Sequence, residues 1–110
     1  MTENDKSQRL IWIDCEMTGL SPETDRLIEI AAVITDGQLN ILAQSPEFAI
    51  RQPIEILQAM DDWNRKTHTQ SGLWQRVIES PLNAAQAEAH MLAFLAPWVD
   101  ANLSPMCGNS

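Results

Sequence analysis

Basic residues are scarce: 7 Lys plus Arg stand against 15 Asp plus Glu, a formal net charge of −8. A phosphate backbone is usually met by clustered Lys and Arg, so this balance argues against a long, nonspecific nucleic-acid groove. It leaves nucleic-acid chemistry open, because divalent cations held by carboxylates supply positive charge locally and a short substrate needs no long basic track. Cysteine is also sparse. Cys15 and Cys107 lie far apart and in no metal-ligand pattern, which argues against a structural disulfide and reads as two small, partly buried thiols. No apolar run approaches the ~20 residues of a membrane span, and the polar, mixed-charge start over residues 1–8 lacks both the basic end and the apolar stretch of a signal peptide. The expectation is a cytoplasmic chain with no membrane association. Internal repeats, low-complexity tracts and linkers are missing too, and 110 residues allow one domain, 1–110.

What is present is an ordinary folding composition, 45% hydrophobic and 20% charged. Leu10-Ile11-Trp12-Ile13 is an unbroken apolar run that turns polar at Asp14 and meets the turn-forming Thr18-Gly19-Leu20-Ser21-Pro22, the pattern of a buried strand with functional or solvated residues at its end. Residues 27–35 are β-branched and apolar apart from Glu29, and end at the hairpin signal Asp36-Gly37. Residues 39–43 continue beyond that turn, with 47–51 extending the pairing after Ser45-Pro46. The first half therefore reads as a three-stranded meander.

After Pro53 the apolar period lengthens from two to about 3.6 residues. A helix is expected from Pro53 through Ile56, Leu57 and Met60 to Trp63, a second over 71–78 stopped by Ser80-Pro81, and a third from Asn83, with Gln86 completing a capping box. The third carries Ala84, Ala87, Met91, Phe94 and Trp98 as a core stripe and ends or kinks near Pro97. Residues 106–110 look like the start of a fourth strand.

Asp14 and Glu16 are two apart on a strand and so project from one face. A hard divalent cation wants such oxygens on a rigid support, and the end of an apolar strand is where ligand sites of α/β sheets tend to lie. The bland alternative is a solvated strand end. Read without further context, Leu20 is an ordinary turn leucine, Trp63 belongs to a helix core, His68 sits in an exposed loop, and His90 is surface or helix packing. Asp61 and Asp62 form a solvated helix end. Glu29, an acid in an apolar strand, must find a partner because an unpaired charge there is costly; a sheet-edge contact, Arg26 or Arg51 are the candidates, with support of the Asp14 and Glu16 carboxylates as the sharper alternative.

The run Ile11-Trp12-Ile13-Asp14-Cys15-Glu16-Met17-Thr18-Gly19-Leu20 resembles the first motif of the DEDD superfamily of 3′-to-5′ exonucleases, and Leu27-Ile28-Glu29-Ile30-Ala31 the strand that follows it. Glu16-Met17-Thr18-Gly19-Leu20, Leu39-Asn40-Ile41-Leu42-Ala43, Met60-Asp61-Asp62-Trp63, His68-Thr69-Gln70-Ser71-Gly72-Leu73 and Cys107-Gly108-Asn109-Ser110 are similar, in order and spacing, to the DEDDh-type oligoribonuclease family. The resemblance implies an α/β, RNase H-like fold with a mixed sheet and two divalent cations, Mg²⁺ or Mn²⁺. It also implies cleavage of short single-stranded RNA, especially diribonucleotides, from the 3′ end to 5′-mononucleotides. Asp14 then matches the acid bridging both cations and Glu16 the acid on the cation that carries the nucleophile. Leu20 matches a wedge against the bases, Met17 and Thr18 line the 3′-nucleotide pocket, Trp63 and His68 lie near the terminal nucleoside, and Ser110 contacts a 5′ phosphate. The family is typically a homodimer.

Cys15 replaces a larger aliphatic residue of the family and should point away from the two acids. The family continues past the block matching Cys107 to Ser110 with a third metal-ligand Asp, a general-base His and a fourth Asp. Nothing here matches them, and neither His68 nor His90 takes the place of the base. The chain is accordingly expected to be the amino-terminal part of a longer exonuclease, marginal in folding and inactive alone. The alternative is a non-catalytic dinucleotide-binding module.

Overall fold

A computed structural model describes residues 6–19, 21 and 23–108. After a single 3₁₀ turn, Lys6–Gln8, the apolar run becomes β1, Leu10–Met17. It pairs antiparallel with β2, Leu27–Thr35, in a register that sets Ile11 opposite Ile34, Asp14 opposite Ala31 and Glu16 opposite Glu29, with a bulge at Glu16/Met17. β3, Ile41–Gln44, and β4, Phe48–Ala49, both pair antiparallel with β2, interrupted by residues 45–47 as the Ser45-Pro46 break predicts. The meander is thus present with its third strand in two pieces.

The hairpin between β2 and β3 differs from expectation in one respect. Asp36 organises the turn: the bond from the Asn40 side chain, then those from the amides of Asn40 at 2.9 Å and Gln38 at 2.8 Å, hold its carboxyl below the usual range. Leu39, not Gly37, takes the left-handed backbone at φ 68°, so β3 starts at Ile41 rather than Leu39.

Four helices follow: α1, Ile54–Gln58; α2, Asp62–Gln70; α3, Leu73–Glu79; and α4, Ala84–Leu95. The single helix expected from Pro53 to Trp63 is in fact two. Asp61 adopts an extended backbone and its side chain accepts from the Asn64 amide at 2.8 Å, starting a new helix with a new phase. Gly72, at φ 81°, separates α2 from α3. α4 begins with the expected capping box, in which Asn83 and Gln86 exchange side-chain-to-backbone bonds at 2.8 and 2.9 Å. Of its stripe, Ala87 and Met91 are buried, Phe94 and Trp98 half-buried, and Ala84 exposed.

Ile28, Leu57, Met60, Leu73 and Val77 form one apolar cluster between β2, α1, the turn after α1 and α3. Each fully buried branched side chain there contributes about 1.5–3 kcal/mol of transfer free energy. The crossover returns the chain as β5, Met106–Cys107, parallel to β1 on the side opposite β2. The sheet order is therefore β3-β2-β1-β5, and the strand carrying Asp14 and Glu16 is internal. Both cysteines are free thiols. No helix among the described residues is long and apolar enough to cross a membrane.

Candidate active site

β1 supports the two acids. Asp14 is exposed and Glu16 half-buried on the same face, while the intervening Cys15 faces the other way, its thiol pushed up by burial and then by its two acidic neighbours. Two carboxylates of fixed spacing are suitable oxygen donors for a hard cation. Among the described residues no third His, Cys, Asp or Glu joins them, so they fit one part of a metal site.

The end of β1 is built from its own residues and from α2. Thr18 is buried; its hydroxyl donates to Asp25 Oδ1 at 3.0 Å and accepts from the Arg26 amide at 2.8 Å. Asp25 Oδ2 accepts from the Ser21 amide at 2.8 Å, closing the loop between β1 and β2. Gly19 lies so near the Asp25 carboxylate that an added Cβ would sit 2.6 Å from Oδ2. Leu20 falls in this loop but, like Ser110, lies outside the described residues.

Trp63 and His68 reverse their simple readings. Trp63 is 71% exposed rather than core, and His68 is 3% exposed on a helix rather than in an exposed loop. The restart of the helix at Asp62 is the cause, since the new phase turns Trp63 outward and His68 toward the sheet. His68 Nε2 lies 3.3 Å from the Met17 carbonyl oxygen, a hydrogen bond in which the carbonyl accepts. Met17, Thr18 and His68 are thereby brought together at the end of the strand that carries both acids. His90 is exposed with its ring 5.7 Å from that of Phe48, as a surface packing residue should be.

Glu29 pairs with neither Arg26 nor Arg51. Arg76 of α3 donates to its Oε2 and also to Glu47 Oε2 at 3.1 Å. Burial raises the Glu29 carboxyl, Arg76 lowers it, and Glu47 and Glu16 raise it further, with a net upward shift. Sequence spacing gave no sign of this partner, because only the crossover brings α3 beside β2. Asp25 was also missed; its signal was the Ser21-to-Asp25 spacing of a turn in which an Asp carboxylate accepts backbone amides. An open groove of about 520 Å³ between α2 and α3, lined by Asp62, Arg65, Lys66, Thr69, Gln70 and Trp74, includes none of the predicted site residues.

An apolar strand ending in paired acids, within a meander completed by a parallel crossover, is the arrangement of an exonuclease-type α/β fold. The exonuclease family's sequence profile matches residues 11–110, and the chain belongs to that family. Its similarity is high to curated oligoribonucleases: 61% identity over 104 residues with that of Xanthomonas axonopodis pv. citri (strain 306), covering 94% of this chain and 54% of the relative. The oligoribonuclease of Xylella fastidiosa (strain Temecula1) is 59% identical over 106 residues, covering 96% and 55%. The chain thus spans about half the length of these relatives and corresponds to their N-terminal part. Among solved structures, E. coli exonuclease I in complex with a dT13 oligonucleotide matches with TM-score 0.67 at 19% identity, over 92% of this chain and 20% of that one. The nuclease domain of 3′hExo, a DEDDh family member bound to rAMP, matches with TM-score 0.68 at 16% identity, over 94% and 52%. These two similarities establish the fold.

Proposed function

We propose that the chain is the part of a 3′-to-5′ exoribonuclease that holds divalent cations and the 3′-terminal nucleotide of short RNA, diribonucleotides above all. The observation that carries the reading is the convergence at one strand end of Asp14, Glu16, the Met17 carbonyl and His68. It is supported by the oligoribonuclease relatives. Asp14 and Glu16 would hold the cations. When bound there, two cations supply a nucleophilic water and stabilise the leaving oxygen for in-line hydrolysis, releasing 5′-mononucleotides.

The chain's own residues do the rest of the binding. His68 fixes the Met17 carbonyl, and so the direction in which β1 ends. The Thr18 hydroxyl is committed to Asp25 and the Arg26 amide, and its own amide to the Arg26 carbonyl, so Thr18 lines a pocket through its carbonyl. Trp63 offers an exposed indole on which any base can stack, which suits a sequence-indifferent enzyme. Leu20 and Ser110 keep their roles as wedge and phosphate contact on the resemblance alone, as does pairing with a second copy. Among the described residues no third ligand joins the two acids, and two carboxylates alone hold a cation weakly, which supports an inactive chain when alone.

The test mixes the chain with Mn²⁺ and a diribonucleotide. Mn²⁺ should raise the melting temperature of the parent and leave that of Asp14→Asn unchanged. Trp63→Ala should weaken dinucleotide binding by about ten-fold, as loss of one stacked base does. An equal Mn²⁺ response in Asp14→Asn would overturn the metal assignment. Rapid release of mononucleotides would overturn the inactivity of the chain alone.

A further inference from the structure

Of the 7 basic residues in a chain of net charge −8, two stand side by side on α2: Arg65 and Lys66. They line the open groove between α2 and α3 together with Asp62, Thr69, Gln70 and Trp74. Neither cation is firmly paired. Arg65 approaches Asp62 at 3.9 Å, a contact between exposed side chains that carries little weight. Among the described residues Lys66 pairs with no carboxylate, although the chain has 15 acids.

The other lining groups are polar or apolar in a definite order. Trp74 is half-buried, held against the cluster that contains Leu73 and Val77, and lends the rest of its indole to the groove. A tryptophan fixed in this way is a rigid anchor that loses little freedom on contact. The exposed Gln70 carboxamide has no partner among the described residues and can donate and accept at once, as a peptide group does. The Thr69 hydroxyl donates to the Arg65 carbonyl at 2.6 Å and keeps its lone pairs for a donor.

Asp62, then Arg65 with Lys66, then Thr69 with Gln70 follow one another along one face of α2 over about 12 Å, the span of about four extended residues. A groove open along its length leaves a small molecule largely in water, whereas an extended segment lies in it. A strand of RNA fits less well. It carries a phosphate at every nucleotide, so along α2 it sets one against Asp62 as well as against the cations. A peptide changes its charge from residue to residue.

We propose that this groove docks an extended acidic segment of a partner protein. A carboxylate side chain of the segment lies against Arg65 and Lys66, an apolar or aromatic one against Trp74, and its main-chain amides meet Gln70 and Asp62. The groove shares no residue with the strand end that carries Asp14 and Glu16, so docking leaves the nucleotide pocket free.

The test follows the full chain by two-dimensional nitrogen-15 NMR as blocked hexapeptides are added, each with two adjacent glutamates and one phenylalanine at varied separation. At least one should saturate with a Kd below about 1 mM and move the signals of Lys66, Gln70 and the Trp74 indole together. Arg65→Glu and Lys66→Glu, at exposed positions, should each weaken that peptide about ten-fold. The same peptide with lysines for glutamates should not bind. Because Trp74 also packs on the core, its part is read from the peptide: glycine for phenylalanine should weaken binding about ten-fold. Failure of every peptide to saturate overturns the proposal, as does binding that survives either charge reversal. A hexauridylate that moves the same signals at lower concentration overturns it in favour of RNA. Asp14→Asn should bind the peptide as the parent does, whatever becomes of the metal reading; loss of the response there would place the peptide at the strand end and overturn the assignment to the groove.

Discussion

Thr18 gives its hydroxyl proton to Asp25 and takes the Arg26 amide, while Asp25 also takes the Ser21 amide. These bonds convert a loop of small and polar residues into a fixed extension of β1. Asp25→Ala removes two acceptor interactions, each worth about 0.5–1.5 kcal/mol, so urea denaturation should show a loss of about 1–3 kcal/mol. The acids themselves were legible because Asp14 and Glu16 end an apolar strand, a pattern that survives in one dimension. The environments of Trp63 and His68 were not. Their burial depends on where a helix begins, and Asp61 set that boundary through a hydrogen bond only three residues long. The Arg76 contact with Glu29 was illegible for a different reason: it joins two elements that only the completed crossover makes neighbours.

The elements whose boundaries are written in local chemistry match expectation most closely. α4 starts at its capping box, and Pro97 follows its end, because capping and proline act through adjacent backbone groups. Asn83→Ala leaves the Gln86 amide without its acceptor and should lower stability by about 1 kcal/mol, read as a fall in urea midpoint with unchanged slope. α1 and α2 show the opposite case. A continuous apolar period from Ile56 to Trp63 cannot reveal that the chain stops at Ala59 and restarts, although Asp61-Asp62 ahead of Asn64 carried the start signal. The strand pairing that residues 47–51 promised contracts to Phe48–Ala49, since Pro46 supplies no amide and the edge ends quickly.

At the scale of the molecule, the parallel return of β5 makes β1 internal to the sheet. Gly108, at φ 129°, follows that strand so closely that an added Cβ would lie 2.2 Å from the Ile13 carbonyl oxygen. Gly108→Ala therefore forces β5 away from β1 and should cost about 1–3 kcal/mol or abolish the cooperative transition, measured by thermal circular dichroism. A melting curve identical to the parent's would show that β5 adds nothing to the sheet. The meander and the helices after it were readable because strand and helix periods differ, while the fold class followed from the resemblance; which edge β5 joins is a long-range choice that no local pattern encodes.

That choice also has a bearing on timing. β1 meets β2 across one short loop, a contact that a growing chain makes early, whereas its other neighbour arrives only after almost all of the described residues have been synthesised. Asp14 and Glu16 sit on the strand that waits longest for its second partner. A polypeptide emerging from the ribosome would therefore carry its acidic pair on a half-made support until β5 had emerged, which makes completion of the sheet around that pair a later event in folding than the first hairpin rather than the seed of it.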